Sequence, residues 1–81
     1  TYDGFVKVEQ CGILIHSVTD QSGIPAVLEP INTLKNFVYK DGQKVRLNYS
    51  VVDIFAPTPC MQQKIRTPIT PVEVIQIIEI K

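Results

Sequence analysis

Along residues 44–51 apolar and polar side chains alternate: Val45, Leu47, Tyr49 and Val51 fall on one face, Arg46, Asn48 and Ser50 on the other. A period of two predicts a strand with one buried face, extended here as Lys44 to Phe55. The Asp41-Gly42 pair before it marks the turn that launches it. Phe5 to Val18 starts the same way, with Val6 and Val8 opposite Lys7 and Glu9. Alternation then fails at Cys11-Gly12, and Ile13-Leu14-Ile15 is apolar on both faces. A glycine at a phase break predicts a bulge, so this segment reads as one long bent strand.

Ser22-Gly23-Ile24-Pro25 reads as a turn and Ala26 to Leu28 or Glu29 as a short strand. The last strand, Val72 to Ile80, is apolar on both faces around Ile75, Ile77 and Ile78, which predicts cover on both sides. Between Ile31 and Asp41 a single helical turn is the most the pattern allows. Asn32 or Thr33 would cap it, and Leu34 and Phe37 would point inward. Pro57, Pro59, Pro68 and Pro71 crowd the run from Phe55 to Pro71, an irregular loop with room for a short strand near Gln63 to Arg66.

These elements predict an all-β fold, a small Greek-key barrel of the oligonucleotide/oligosaccharide-binding (OB) type, five-stranded or partly open, with a small open sandwich as the second choice. Closure removes the exposed edges of an Ile/Val-rich chain, and a bent first strand can pair with two neighbours. Val45, Leu47, Tyr49, Ile13, Ile15, Val74, Ile77 and Ile78 are the expected core.

The segments "KDGQKVRLNYSVVD" and "VEVIQIIEI", with "CGILI" and "LEPIN" upstream, resemble the OB-type domain of NigD-like and related uncharacterised bacterial envelope lipoproteins. The resemblance runs from about Phe5 to Lys81 and rests on short, structural motifs. It implies export, with lipid anchoring through an upstream segment. It carries no catalytic residues.

Size and charge narrow the picture. At 81 residues the chain is one domain, residues 1–81, near the lower end of what folds unaided. Eight acidic and eight basic side chains leave zero formal charge, which argues against a broad footprint for nucleic acid or anionic lipid. No apolar run approaches the ~20 residues of a membrane span. The chain begins at Thr1 rather than Met, as it would after removal of an export signal or as a piece of a longer protein.

Chemistry is sparse. The stretch "QCGILIH" holds Cys11 and the single histidine, His16. On a regular strand they point to opposite faces about 16 Å apart. A nucleophile and its base need roughly 3 Å, so the pair is no dyad. Cys11, Cys60 and His16 lack the paired spacing of a structural zinc site. The better reading of Cys11 and Cys60 is a disulfide tying the first strand to the proline-rich loop, with two buried thiols as the alternative. Asp41, Asp53, Glu73 and Glu79 have no paired-carboxylate spacing, and no nucleophile elbow, phosphate loop or dinucleotide fingerprint is present. No enzyme activity, cofactor or metal is expected.

Two functions remain. The first is a non-enzymatic exported envelope domain, in the periplasm or at the cell surface, that contacts a protein or glycan. The second is a cytosolic OB module binding single-stranded nucleic acid through Lys35, Tyr39, Lys40, Lys44 and Arg46, where bases and aromatics interleave.

Overall fold

The computed structural model describes residues 1–18, 23–32, 34–53, 58–62 and 68–80. Five strands run in the order β1 (Tyr2–Glu9), β2 (Gly12–Ser17), β3 (Val27–Pro30), β4 (Lys44–Val51) and β5 (Ile69–Glu79). They close into a barrel ordered β1-β2-β3-β5-β4, all pairs antiparallel except β3 with β5. This is an OB-like barrel, and no helix occurs among the described residues.

The expected bent first strand is instead a hairpin. Glu9 faces Gly12, so Gln10 and Cys11 alone make the turn, and the lost alternation marks a reversal of direction rather than a bulge. Gly12 closes that turn at φ 143°, a conformation that costs glycine little. Strand β1 also begins earlier than expected, at Tyr2, and pairs with β2 along Gly4 to Glu9 and with β4 along Tyr2 to Phe5. Beyond β4, Val6 N–H donates to the Gln43 carbonyl and Gly42 N–H to that of Val6, carrying the ladder into the Asp41-Gly42 turn.

Gly4 sits where β1 changes neighbours. A Cβ there would lie 2.6 Å from the His16 carbonyl oxygen and 2.8 Å from Ile15 Cγ2. Gly4→Ala is therefore expected to cost about 1–3 kcal/mol by overpacking, read as a lower urea midpoint with unchanged slope.

Tyr2, Val6, Ile15, Leu28, Val45, Leu47, Val72, Val74 and Ile77 fill the barrel. Ile13, Tyr49, Leu34, Phe37 and Tyr39 pack half-buried against them. Tyr2 crosses Tyr49 edge to face at 5.6 Å and donates its hydroxyl to the Pro25 carbonyl at 2.8 Å. Burial pushes the Tyr2 phenol up to about 12; the Ser17 hydrogen bond opposes this and the Tyr49 charge adds to it.

Ile78, expected inside, is 49% exposed, and Ile75 is exposed as well. Around Ile75 to Ile78, strand β5 is covered on one side only. Asn48 faces Gln76 while Tyr49 faces Val74, so Ile75 is an extra residue on β5. That bulge lets Val74 and Ile77, three apart, both point inward and turns Ile75 and Ile78 out. Val8 and Val51, which extended the inward faces of their strands in the pattern, are also exposed at strand ends.

The other boundaries shift modestly. Strand β4 ends at Val51 rather than Phe55, and β5 starts at Ile69 and includes Pro71. Asn32 caps no helix. Its side-chain amide donates to the Val74 carbonyl and accepts from the Val74 N–H, at 2.9 and 2.8 Å. The expected cap at Thr33, the start of the turn at Ser22 and the strand near Gln63 to Arg66 lie outside the described residues.

Candidate functional site: the strapped outer face of the barrel

Because Ile15 and Leu28 point into the barrel, their neighbours Leu14, Val27 and Glu29 point out of it. On a solvated face these would be exposed. They are buried, together with Cys60, and Glu29 is only 7% exposed. Their described cover is residues 58–62 of the β4–β5 connection, through Thr58 and Cys60. Leu14, Val27 and Cys60 form a second apolar cluster, joined by Cys11 and by Ile69 of β5, outside the barrel wall.

Several contacts of the described residues hold this strap. Cys11 in the β1–β2 turn is bonded to Cys60, 49 residues later, the pairing expected from the sequence. The Thr58 hydroxyl donates to the Glu29 carboxylate and accepts from the Met61 N–H, as a capping residue does. Gln62 N–H donates to the Thr58 carbonyl, closing one turn over residues 58–62. In OB barrels the β2–β3 face and the β1–β2 and β4–β5 loops are the usual ligand surface. Here those two loops are joined covalently and one lies on the face itself.

Beside the strap, the Phe5 and His16 rings stack across β1 and β2, 5.5 Å apart with planes 16° from parallel. With Phe5 and His16 read as parts of one long strand, nothing in the sequence pairs them. Burial pushes the imidazole below its ordinary pKa, the Lys7 charge lowers it further, and Glu9 opposes. The unfolded chain therefore binds this proton more readily than the folded one. Stability should fall as pH drops through the ordinary histidine range, by more than in His16→Gln. Urea midpoints at pH 7.5 and 5.5 for both proteins check this, and parallel pH slopes would contradict it.

Two of the Lys35, Tyr39, Lys40, Lys44 and Arg46 group, Tyr39 and Arg46, are engaged in structural contacts. Arg46 is held by Asp3 through two hydrogen bonds, at 2.8 and 3.1 Å. Asp3 is lowered and Arg46 raised by that bond. Tyr39 packs half-buried against the core, edge to face with Phe37 at 5.1 Å, and burial raises its pKa. Lys44 faces Phe5 across the β1–β4 ladder, and Lys35 and Lys40 are exposed in the preceding connection.

Two shallow hollows adjoin the N-terminus on the β4 side. One of about 110 Å³ is lined by Thr1, Arg46, Leu47, Asn48, Gln76 and Ile78, and one of about 190 Å³ by Thr1, Leu47, Asn48 and Tyr49. Both fall below the roughly 300 Å³ at which small-molecule pockets begin. Among the described residues no group of three or more His, Cys, Asp or Glu could hold a metal, and no helix is long and apolar enough to cross a membrane.

Compared with protein-family models, curated proteins and solved structures, the chain matches none.

Proposed function

We propose that this chain is a non-enzymatic binding module of an exported envelope protein, in the periplasm or at the cell surface, whose partner is a protein or glycan of that envelope. The observation that carries the reading is the Cys11–Cys60 bond over the β2–β3 face. Such bonds persist in oxidising compartments and are rare in the cytosol. The resemblance of the β4 and β5 segments to NigD-like envelope lipoproteins supports the same compartment, and with it an upstream lipid anchor.

The polar side chains near the strap are engaged in structure. Cys11 and Cys60 bond each other, Glu29 accepts from Thr58, and His16 stacks on Phe5. That suits a scaffold that presents a surface rather than one that runs a reaction. The nucleic-acid reading draws less support, since Arg46 is already paired and Tyr39 packs inward.

The test is made on the protein in its own cells. Fractionation followed by alkylation should place it in the envelope, with both cysteines blocked to the reagent until reductant is added. Recovery from the cytosol with two alkylated thiols overturns the reading. Titration of the labelled domain with soluble envelope glycan and with a single-stranded oligonucleotide separates the two partner classes. Shifts with the oligonucleotide alone favour the second.

A further inference from the structure

We propose that the Thr58–Gln62 turn is a redox-released cover: reducing Cys11–Cys60 lets it lift from the outer face of β2 and β3 while the barrel stays closed. This goes beyond the binding role above and does not depend on which partner is correct.

The two apolar clusters are separable. The one inside the barrel is built from the strands, with Leu34, Phe37 and Tyr39 packed against it, and includes no residue of the 58–62 turn. Its walls close through strand–strand pairing alone, β1 with β2 and β4, β3 with β2 and β5, and β4 with β5. Among the described residues of the strap, 58–62, Cys60 joins the outer cluster and none joins the inner one. Lifting it removes cover from one side of the β2–β3 wall and leaves the other side packed. Segments with few buried contacts and few anchors open before the whole fold does.

The bond is also placed for attack from one side. Cys60 is 0% exposed, whereas Cys11 is half-buried at the tip of the β1–β2 hairpin, beside exposed Gln10. One thiolate of a reducing dithiol attacks Cys11 Sγ, forms a mixed disulfide and expels the Cys60 thiolate, which takes up a proton. The second thiol of the reductant then loses its proton and attacks its own sulfur in the mixed disulfide, freeing the Cys11 thiolate, which is protonated in turn. The dithiol gives up two electrons and two protons and becomes a disulfide, and the two cysteines become thiols. What is uncovered is an apolar patch, Leu14, Val27 and Ile69, and with it the Glu29 carboxylate that Thr58 had engaged.

The experiment follows amide exchange by NMR on the whole chain at 10 °C, oxidised and after dithiothreitol, with a hydrophobic dye as a probe of uncovered surface. Reduction should leave the β1–β5 amides protected, speed exchange at Met61 and Gln62 by about tenfold or more, and raise dye fluorescence. The double variant Cys11→Ala, Cys60→Ala should reproduce that state without reductant. Unchanged exchange at Met61 and Gln62 overturns the proposal, because the strap would then stay down without its bond. Loss of protection throughout the strands, in reduced protein or variant, overturns it too, since the bond would then hold the barrel itself. So does failure of dithiothreitol to reduce the native protein, which would show that Cys11 is not open to attack.

Discussion

Removal of the Cys11–Cys60 bond is expected to lower the melting temperature by roughly 15–30 °C. The bond spans 49 residues of sequence. In the chain-entropy account such a link disfavours the unfolded ensemble by roughly 4 kcal/mol, and each kcal/mol is worth ~4–8 °C in a domain of this size. The loss acts mainly on the unfolded chain, so at low temperature the strand signature should survive. Thermal melts of oxidised protein and of Cys11→Ala, Cys60→Ala measure it by circular dichroism. A shift under about five degrees would show that the link constrains the unfolded chain little and that the strands supply nearly all the stability.

Leu47→Ala should cost ~2–5 kcal/mol. Leu47 is 1% exposed, at the centre of β4, facing Tyr2 of β1 on one side and Ile77 of β5 on the other. Truncation leaves a void where three strands meet, and none of these closed-barrel neighbours can move in without distorting its own ladder. Ile78→Ala is the matched control, because Ile78 is 49% exposed on the adjoining strand and should lose no more than about 0.5 kcal/mol. Urea denaturation at a common slope compares the two. Equal losses would mean that β5 is not bulged at Ile75.

Strand β4 was legible because one of its faces meets water, so alternation alone reports which side is buried. Strand β5 was not, because the bulge at Ile75 changes the phase midway and makes its one-sided second half look apolar on both faces. The β1–β2 hairpin was hidden for a different reason. Its two-residue turn is Gln10-Cys11, with neither the Asn-Gly nor the Asp-Gly chemistry that announces such turns, and the glycine falls one place later.

For the site, the cysteine pair could be read directly, since two anchors on segments that a barrel brings together have an obvious use. The strap could not, yet its trace was present. Ile13-Leu14-Ile15 is apolar on both faces, and a two-sided apolar strand in so small a barrel needs a second cover. Reading that need against the nearby Cys11 would have pointed to the loop carrying Cys60. The cluster of Lys35, Tyr39, Lys40, Lys44 and Arg46 was suggested by closeness in sequence; alternation along β4 does put Lys44 and Arg46 on one outward face, but the inward packing of Tyr39 and the pairing of Arg46 with Asp3 were not legible from spacing.

Asn32 bears on solubility. The parallel pairing of β3 with β5 stops at Pro30 and Val72, and beyond it the outer margin of β5 would offer unpaired N–H and C=O groups to any passing chain. The Asn32 carboxamide presents one donor and one acceptor in a plane, as a peptide group does, and both go to Val74. One side chain thereby stands in for the next residue of a neighbouring strand. With Ile75 and Ile78 exposed close by, that substitution removes a place where a second molecule could add itself edge to edge, and so favours a barrel that remains in solution rather than one that assembles into fibrous aggregates.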